Sequence, residues 1–151
     1  MKITLTSILP RRTRTKSDPT DRLITDYVER STRYVPCDSQ LFESEAAMLE
    51  WLDHQSGRTP VHLILLDSRG QLLSSEDLAQ QLGQLRDRGT QRLVLAVGPA
   101  DGWSASTQQR ANVLFSLGRI TLPHQLARVV LAEQVYRALT IIAGHPYHSG
   151  H

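Results

Sequence analysis

The stretch Val61-His62-Leu63-Ile64-Leu65-Leu66, preceded by Pro60 and followed by Asp67-Ser68-Arg69-Gly70, decides the fold. It is apolar along most of its length and bounded by turn residues, the pattern of a strand buried on both faces of a parallel sheet. A central position follows, with the chain turning at Asp67 to Gly70. Downstream, Ser74 and Asp77 have the spacing of a capping box, and Leu78, Leu82 and Leu85 mark one face of a helix that Gly89 ends. Leu93-Val94-Leu95-Ala96-Val97 is a second buried strand. The unit reads β-α-β, with a right-handed crossover expected.

Toward the N-terminus, Ile3 and Leu5 alternate in period two and predict an opening strand that Pro10 ends. Arg11-Arg12-Thr13-Arg14-Thr15-Lys16 carries no apolar residue. Asp18 then caps a helix with Pro19 at its first position and Asp21 at the acidic place of a capping box. Leu23, Ile24, Tyr27, Val28 and Ser31 recur at helical spacing. A short strand near Cys37 to Phe42 precedes a helix from Ser44 to His54, closed by Gly57 and Pro60, with Ala47, Met48, Trp51 and Leu52 on one face.

Toward the C-terminus come a helix near Ser104 to Asn112, a short strand from Val113 to Leu117, and a long helix from Gln125 to Ile142. The apolar positions of this last helix lie nearly all round it, so it must be covered on most sides. A partner subunit is the expected cover, which points to a homodimer packed partly through this helix.

The 151 residues fit a single domain over 1–151, and with 40% hydrophobic and 21% charged residues the composition is that of a soluble globular chain. No apolar run nears the length of about 18 residues that a membrane span needs. The start is too short and too alternating for a signal-peptide core, and Cys37 is the sole cysteine. A reducing cytoplasm without disulfides is the expectation. Cys37 reads as a small hydrophobe. The net charge of +2 hides an uneven distribution: 8 basic and 4 acidic side chains in residues 1–36, 4 and 9 in 37–90, and 5 and 2 in 91–151. A basic start and a basic, His-rich end form one positive face for a polyanion if they meet in space.

Ligands of parallel α/β proteins bind in loops that leave the carboxyl ends of the strands. Three such loops begin at Leu66, Gly98 and Leu117. The stretch from Gly98 to Gly102 permits close backbone approach but is neither a dinucleotide fingerprint nor a P-loop. Leu117-Gly118-Arg119-Ile120-Thr121-Leu122-Pro123-His124-Gln125 offers backbone amides between a strand and a buried helix, either to a polar ligand edge or merely as a connection. On that helix Glu133 and Arg137 form an i,i+4 pair, whereas Arg128 has no such partner. The tail His145-Pro146-Tyr147-His148 has no accompanying metal-ligand spacing, so no metal is expected. Its rings beside arginines suit stacking and phosphate contact in RNA.

Leu65 to Ala79, Gly98 to Gly102, Ile120-Thr121-Leu122-Pro123-His124-Gln125-Leu126-Ala127-Arg128, Ala132 to Ala138, and His145-Pro146-Tyr147-His148 together resemble the ribosomal RNA large subunit methyltransferase H family. These are small enzymes of the SPOUT class. The likeness spans essentially the whole chain and is strongest from Val61 onward. It implies an α/β parallel-sheet fold with helices on both faces and a C-terminal trefoil knot, a homodimer, and S-adenosylmethionine as methyl donor. The implied target is N3 of a pseudouridine in 23S rRNA of the assembled ribosome. Carried over, the donor contacts fall on Leu66, Gly98, Leu117, Gly118, Arg119, Ile120, Thr121 and Leu122. Arg128 is the implied stabiliser of a developing anion and His148 the candidate base, with His124, Arg137, His145 and Tyr147 toward RNA and the tail reaching the partner subunit's donor pocket. Two other readings stay open: a SPOUT enzyme for another RNA nucleotide, and a non-catalytic ribosome-binding assembly factor. The sequence departs from the family at Pro99, where a second glycine is usual and an N–H is lost, and in the arginine-rich segment after Leu9.

Overall fold

The computed structural model describes residues 1–14, 18–55 and 59–149; Thr15, Lys16, Gly57 and His151 lie outside them. Five strands, β1 (Lys2–Ile8), β2 (Cys37–Phe42), β3 (Val61–Leu72), β4 (Arg92–Val97) and β5 (Val113–Ser116), form one sheet in the order β2-β1-β4-β3-β5. Every pairing in it is parallel. The helices are α1 (Pro19–Ser31), α2 (Glu45–Gln55), α3 (Ser75–Asp87), α4 (Ala105–Arg110) and α5 (His124–Ala143), with 3-10 turns at Arg11–Thr13 and Pro146–His148.

Alternation along the strands creates two cores. Ile3, Leu5, Ile64, Leu93, Leu95 and Val97 point to one face, where Ile24 of α1, Leu78 and Leu82 of α3, and Leu131, Val135 and Leu139 of α5 cover them. Ile8, Leu63, Leu65, Val94 and Ala96 point to the other face, against Met48 and Leu52 of α2 and the side chain of Trp103. Helices therefore lie on both faces, as a doubly covered parallel sheet requires.

The middle of the sheet is β4, with β3 one place toward the edge, so the expected central position of Val61 to Leu66 is off by one strand. Nor does the chain leave the sheet at Asp67. The pairing of β3 with β5 jumps from Leu66 opposite Phe115 to Gln71 opposite Phe115, and residues 67–70 are absorbed as a bulge within a 12-residue strand. Gly70 makes this possible, because a Cβ there would stand 2.5 Å from the Leu114 carbonyl carbon and 2.6 Å from the Phe115 nitrogen. At the other end Asn112 leaves α4 and extends the pairing: its N–H donates to the Leu63 carbonyl, and its Oδ1 accepts from the Leu63 N–H, both at 2.8 Å.

The capping box of α3 forms as read, with Ser74 Oγ accepting from the Asp77 N–H and Asp77 Oδ2 from the Ser74 N–H. In α1, Asp18 caps through the Thr20 N–H, but the Asp21 carboxylate turns to Arg128 instead of closing a box. Leu23, read as part of the inward stripe, is 47% exposed. The largest correction concerns α5. Its Leu131, Ala132, Val135, Tyr136, Ala138 and Leu139 are all buried within this one chain, because α1 and α3 pack along its flanks and the sheet lies beneath. The chain supplies most of the cover that the sequence seemed to demand of a partner. The helix ends in a Schellman motif, with Gly144 left-handed at φ 72° and the His145 N–H donating to the Thr140 carbonyl. The first and last segments also meet, since β1 lies beside β4 and α1 packs on α5.

Gly70→Ala forces backbone against backbone. We expect it to destabilise the fold by about 2 kcal/mol, the scale of overpacking in a filled core, read as a lower urea midpoint at unchanged slope.

Candidate functional site

With all strands parallel, β3, β4 and β5 run to one edge, where the bulge of β3 and the loops after β4 and β5 enclose a cleft of ≈ 940 Å³. Leu66, Gly98, Leu117, Gly118, Arg119, Ile120, Thr121 and Leu122 all line it. The eight positions expected to touch a donor molecule are thus brought together by the topology. Gly118 has φ +137°, a conformation open to glycine, and is braced by Ser116, whose Oγ donates to the Gly118 carbonyl at 2.9 Å. After it, the backbone N–H groups of Arg119, Ile120, Thr121 and Leu122 donate to no protein acceptor among the described residues. A run of unpaired main-chain donors beside apolar side chains suits a ligand with both polar edges and flat apolar parts.

Trp103, which the sequence reading passed over, organises the cleft. It is buried, its Nε1–H donates to the Leu66 carbonyl at 2.9 Å, and its ring fills the space a Cβ on Gly98 would need, with Cε2 only 2.7 Å from that point. Gly98 is therefore a glycine because of Trp103, not only to admit a ligand. One indole joins the ends of β3 and β4. The loop between is a turn in which the Gly102 N–H donates to the Pro99 carbonyl at 2.9 Å. The Ser104 Oγ and N–H both donate to Glu45 Oε1, at 2.9 and 3.0 Å, fixing the far side of the loop to α2.

The bulge forms another wall. Asp67, with a side chain only 6% exposed, accepts from the Arg69 N–H at 2.9 Å and from Gln108 Nε2 at 2.8 Å. Burial works to raise its pKa, but these bonds and the Arg69 charge outweigh it and hold the carboxyl below its ordinary range.

Arg128 is buried at the start of α5, outside the cleft lining. Its Nε donates to Ser7 Oγ at 3.1 Å, and its Nη1 to Asp21 Oδ1 at 3.0 Å and Gln125 Oε1 at 2.8 Å. The partner that the sequence did not reveal is thus Asp21, brought in by α1. Nη2 has no protein acceptor among the described residues. His124 lines the cleft rather than an outer surface. Both ring nitrogens are buried against the backbone of Gly98 and Ile8 without a hydrogen bond of ordinary geometry. Burial first, then the Arg128 charge, lower its pKa.

The tail lies elsewhere. Among the described residues, none of Arg137, His145, Tyr147 and His148 lines the cleft. Glu133 receives Arg137 Nη2 at 2.7 Å, the expected i,i+4 pair, and also the Tyr147 hydroxyl at 3.0 Å. Arg137 lies over the Tyr147 ring and contacts His148 Nδ1 at 3.0 Å, while His148 Nε2 meets Glu76 Oε1 at 2.6 Å. A guanidinium can only donate, so Nδ1 accepts and Nε2–H is the donor to Glu76. The lone pair a general base would use is committed to Arg137 in this arrangement. The exposed His145 only caps the last turn, accepting the Tyr147 N–H at Nδ1. Cys37 is half-buried, and burial pushes its thiol up to about 12, which makes it a poor nucleophile.

This parallel sheet with a cleft on its carboxyl edge is of a known kind. The family model described as "Predicted SPOUT methyltransferase" matches residues 1–148, and the chain belongs to that family. A protein of Koribacter versatilis named ribosomal RNA large subunit methyltransferase H is 47% identical over 138 residues, covering 91% of this chain and 94% of its own. One of the same name from Mesorhizobium japonicum is 57% identical over 86 residues, 57% of this chain and 54% of its own. Among solved structures, the SpoU methyltransferase AviRb from Streptomyces viridochromogenes aligns with a TM-score of 0.52 at 13% identity. Its complex with the cofactor AdoMet aligns at 0.50 and 12%. Each alignment covers 95% of this chain, and 61% and 58% of those longer chains, so the likeness is one of fold.

Trp103→Phe keeps an aromatic ring but removes the N–H that donates to the Leu66 carbonyl. The expected loss is about 1 kcal/mol of stability, measured by urea unfolding. For Tyr147, burial and then the Glu133 carboxylate raise the phenol to about 12. The folded state therefore holds this proton more tightly than the unfolded chain, whose phenols titrate near 10. The resulting stability is complete below pH ~10 and lost as pH rises from there to about 12. Absorbance at 295 nm should show a late-titrating phenol that Tyr147→Phe removes.

Proposed function

We propose that this protein transfers a methyl group from S-adenosylmethionine to N3 of a pseudouridine in 23S rRNA of the assembled ribosome, acting in the cytoplasm as a homodimer. The observation that carries the donor assignment is the cleft itself. Its unpaired amides from Arg119 to Leu122 suit the polar edges of such a donor, and its apolar walls at Leu66, Trp103 and Leu117 suit a flat base and an aliphatic chain. The names borne by the Koribacter and Mesorhizobium proteins support the substrate.

The donor, when bound, supplies an electrophilic methyl on a sulfonium. The chain's residues have two tasks: to align the acceptor nitrogen in line with that methyl, and to favour loss of the N3 proton. The N3 proton would leave to solvent or to a base, and the pair left on N3 would accept the methyl that the donor would supply. Arg128, with Nη2 uncommitted, is suited to stabilise the N3 anion, and its bonds to Ser7, Asp21 and Gln125 fix its place without reorganisation. His148 serves as base only if it leaves Arg137.

The geometry of the single chain supports the dimer. Helix α5 carries His124 at the cleft, while the tail folds onto Glu133, Arg137 and Glu76 and lines no part of that cleft among the described residues. A tail held outside its own cleft is free to face a cleft on a second copy. Leu23 and Leu126, 47% and 48% exposed on the packed helices α1 and α5, are apolar surface that such a contact would cover. We read residues 1–151 as one domain per subunit, with the family's trefoil knot toward the C-terminal end.

Labelled S-adenosylmethionine and assembled ribosomes lacking the modification, followed by mass spectrometry of the rRNA, test the reaction. Label at a pseudouridine N3 is the expected result. Donor binding without transfer would favour an assembly factor, and transfer elsewhere another nucleotide. Arg128→Ala, assayed well below its unfolding midpoint, should keep donor binding by calorimetry and lose transfer about a hundredfold or more. Light scattering at micromolar concentration should give twice the chain mass.

A further inference from the structure

The arginine-rich segment after β1 plays no part in the cleft, yet the fold places it at the cleft's rim. Strands β1 and β4 run parallel with Ser7 opposite Val97, so the chain leaves β1 on the same edge as the Gly98 loop. Ile8, the last residue of β1, has its backbone against the ring of His124, which lines the cleft. The segment that follows is a built turn. The Thr13 N–H and Oγ1 both donate to the Pro10 carbonyl, at 3.0 and 2.7 Å, the Arg14 N–H donates to the Arg11 carbonyl at 3.1 Å, and Arg14 Nε donates to the Leu9 carbonyl at 3.0 Å. Arg14 is thereby used as a brace. Arg11 and Arg12 are left exposed on the outside of the turn.

Arg11 is ion-paired with Glu43, which follows the carboxyl end of the neighbouring strand β2, yet its side chain remains 82% exposed. Arg12 has no carboxylate partner among the described residues. On the opposite rim, the exposed Arg119 lines the cleft and likewise has no acidic partner among them. Arg69 is neutralised by Asp67, and Asp101 is the exposed carboxylate of the loop between the rims.

We infer that Arg11 and Arg12 form a phosphate-docking turn that holds the RNA backbone flanking the nucleotide presented to the cleft. Resting on RNA as the substrate, this inference assigns part of the docking surface that the reading above leaves open. A nucleotide entering from the carboxyl edge must carry its flanking phosphates across this rim. A turn already fixed by its own hydrogen bonds presents two forked donors at little ordering cost. Glu43 then acts as the competitor that phosphate displaces from Arg11, which keeps the turn neutralised in part until RNA arrives.

The test is binding of the purified protein to assembled ribosomes lacking the modification, measured by sedimentation between 50 and 200 mM KCl and kept separate from methyl transfer. Each phosphate contact to single-stranded RNA adds roughly 0.7 to the slope of log affinity on log salt. Arg11→Ala/Arg12→Ala should therefore flatten the slope by about 1.4, so that over this range the parent loses about sevenfold more affinity than the variant. Donor binding and the urea midpoint should stay as in the parent. Arg11→Lys/Arg12→Lys should keep the slope. Glu43→Gln should tighten binding, by up to about fivefold at 50 mM. The inference is overturned by a parental slope in the alanine variant, by loss of slope in the lysine variant, by weaker binding of Glu43→Gln, or by a parent that does not bind ribosomes at any salt. Salt-dependent binding without methyl transfer would leave it standing and remove the enzymatic reading instead.

Discussion

Parallel pairing of all five strands is the constraint from which the rest follows. A parallel neighbour cannot be reached by a tight turn, so each strand must be followed by a crossing segment, and every strand ends on the same edge. The bulge of β3 and the loops after β4 and β5 thus become neighbours although they are far apart in sequence. The basic turn after β1 and Glu43 after β2 arrive on that edge for the same reason. The cleft is a product of strand direction before it is a product of any side chain.

Buried polar groups then fix what the sheet brings together. Arg128 takes a full positive charge into the junction of β1, α1 and α5, where leaving it unpaired would be strongly destabilising. Asp21, Ser7 and Gln125 offset that penalty, and Ser7 and Asp21 tie the start of α5 to β1 and α1. Asp67 does the same for the bulge of β3, with its carboxylate turned inward to Arg69 and Gln108. In both cases a charged residue that looks like a candidate for chemistry is also a fastener, and its removal is expected to affect shape as well as reaction. The tail follows a different logic, because Glu133, Arg137, Tyr147, His148 and Glu76 bond to one another along the second half of α5 and the start of α3, outside the lining of the cleft.

Much of this was legible in the residues. Apolar runs bounded by turns marked β3 and β4, Cys37 to Phe42 was a strand with the bounds expected, and Ser74 and Asp77 made their capping box, since each signal is local. Where the outcome turned on distant contacts, the sequence misled. Asp67 to Gly70 has the composition of a turn, but its pairing is decided by Gly70 meeting the Leu114 and Phe115 backbone, more than forty positions away. Asp21 stands where a capping acid belongs and was taken by Arg128 from another helix. The apolar girth of α5 was real, but α1 and α3 cover most of it. Trp103 left no local signal, because its contact with Gly98 and with the Leu66 carbonyl exists only once β3 and β4 are side by side. The loops at Gly98 and Leu117 were found because carboxyl-end geometry is a property of the fold class, whereas the loop expected at Leu66 is the bulge within β3.

Trp103 belongs at once to the cleft and to the smaller of the two cores, where it packs with Ile8, Met48, Leu52, Leu63 and Leu65. The loop that carries it is therefore tied to the sheet: to swing away it must withdraw an indole from the core that also takes in Met48 and Leu52 of α2. Opening of the cleft is consequently a partial unfolding of that face rather than the motion of a surface flap. Amide exchange in the β3 and β4 segments beneath Trp103 should thus slow when a ligand fills the cleft, and the ligand's binding energy will be registered inside the sheet as well as at the loops that touch it.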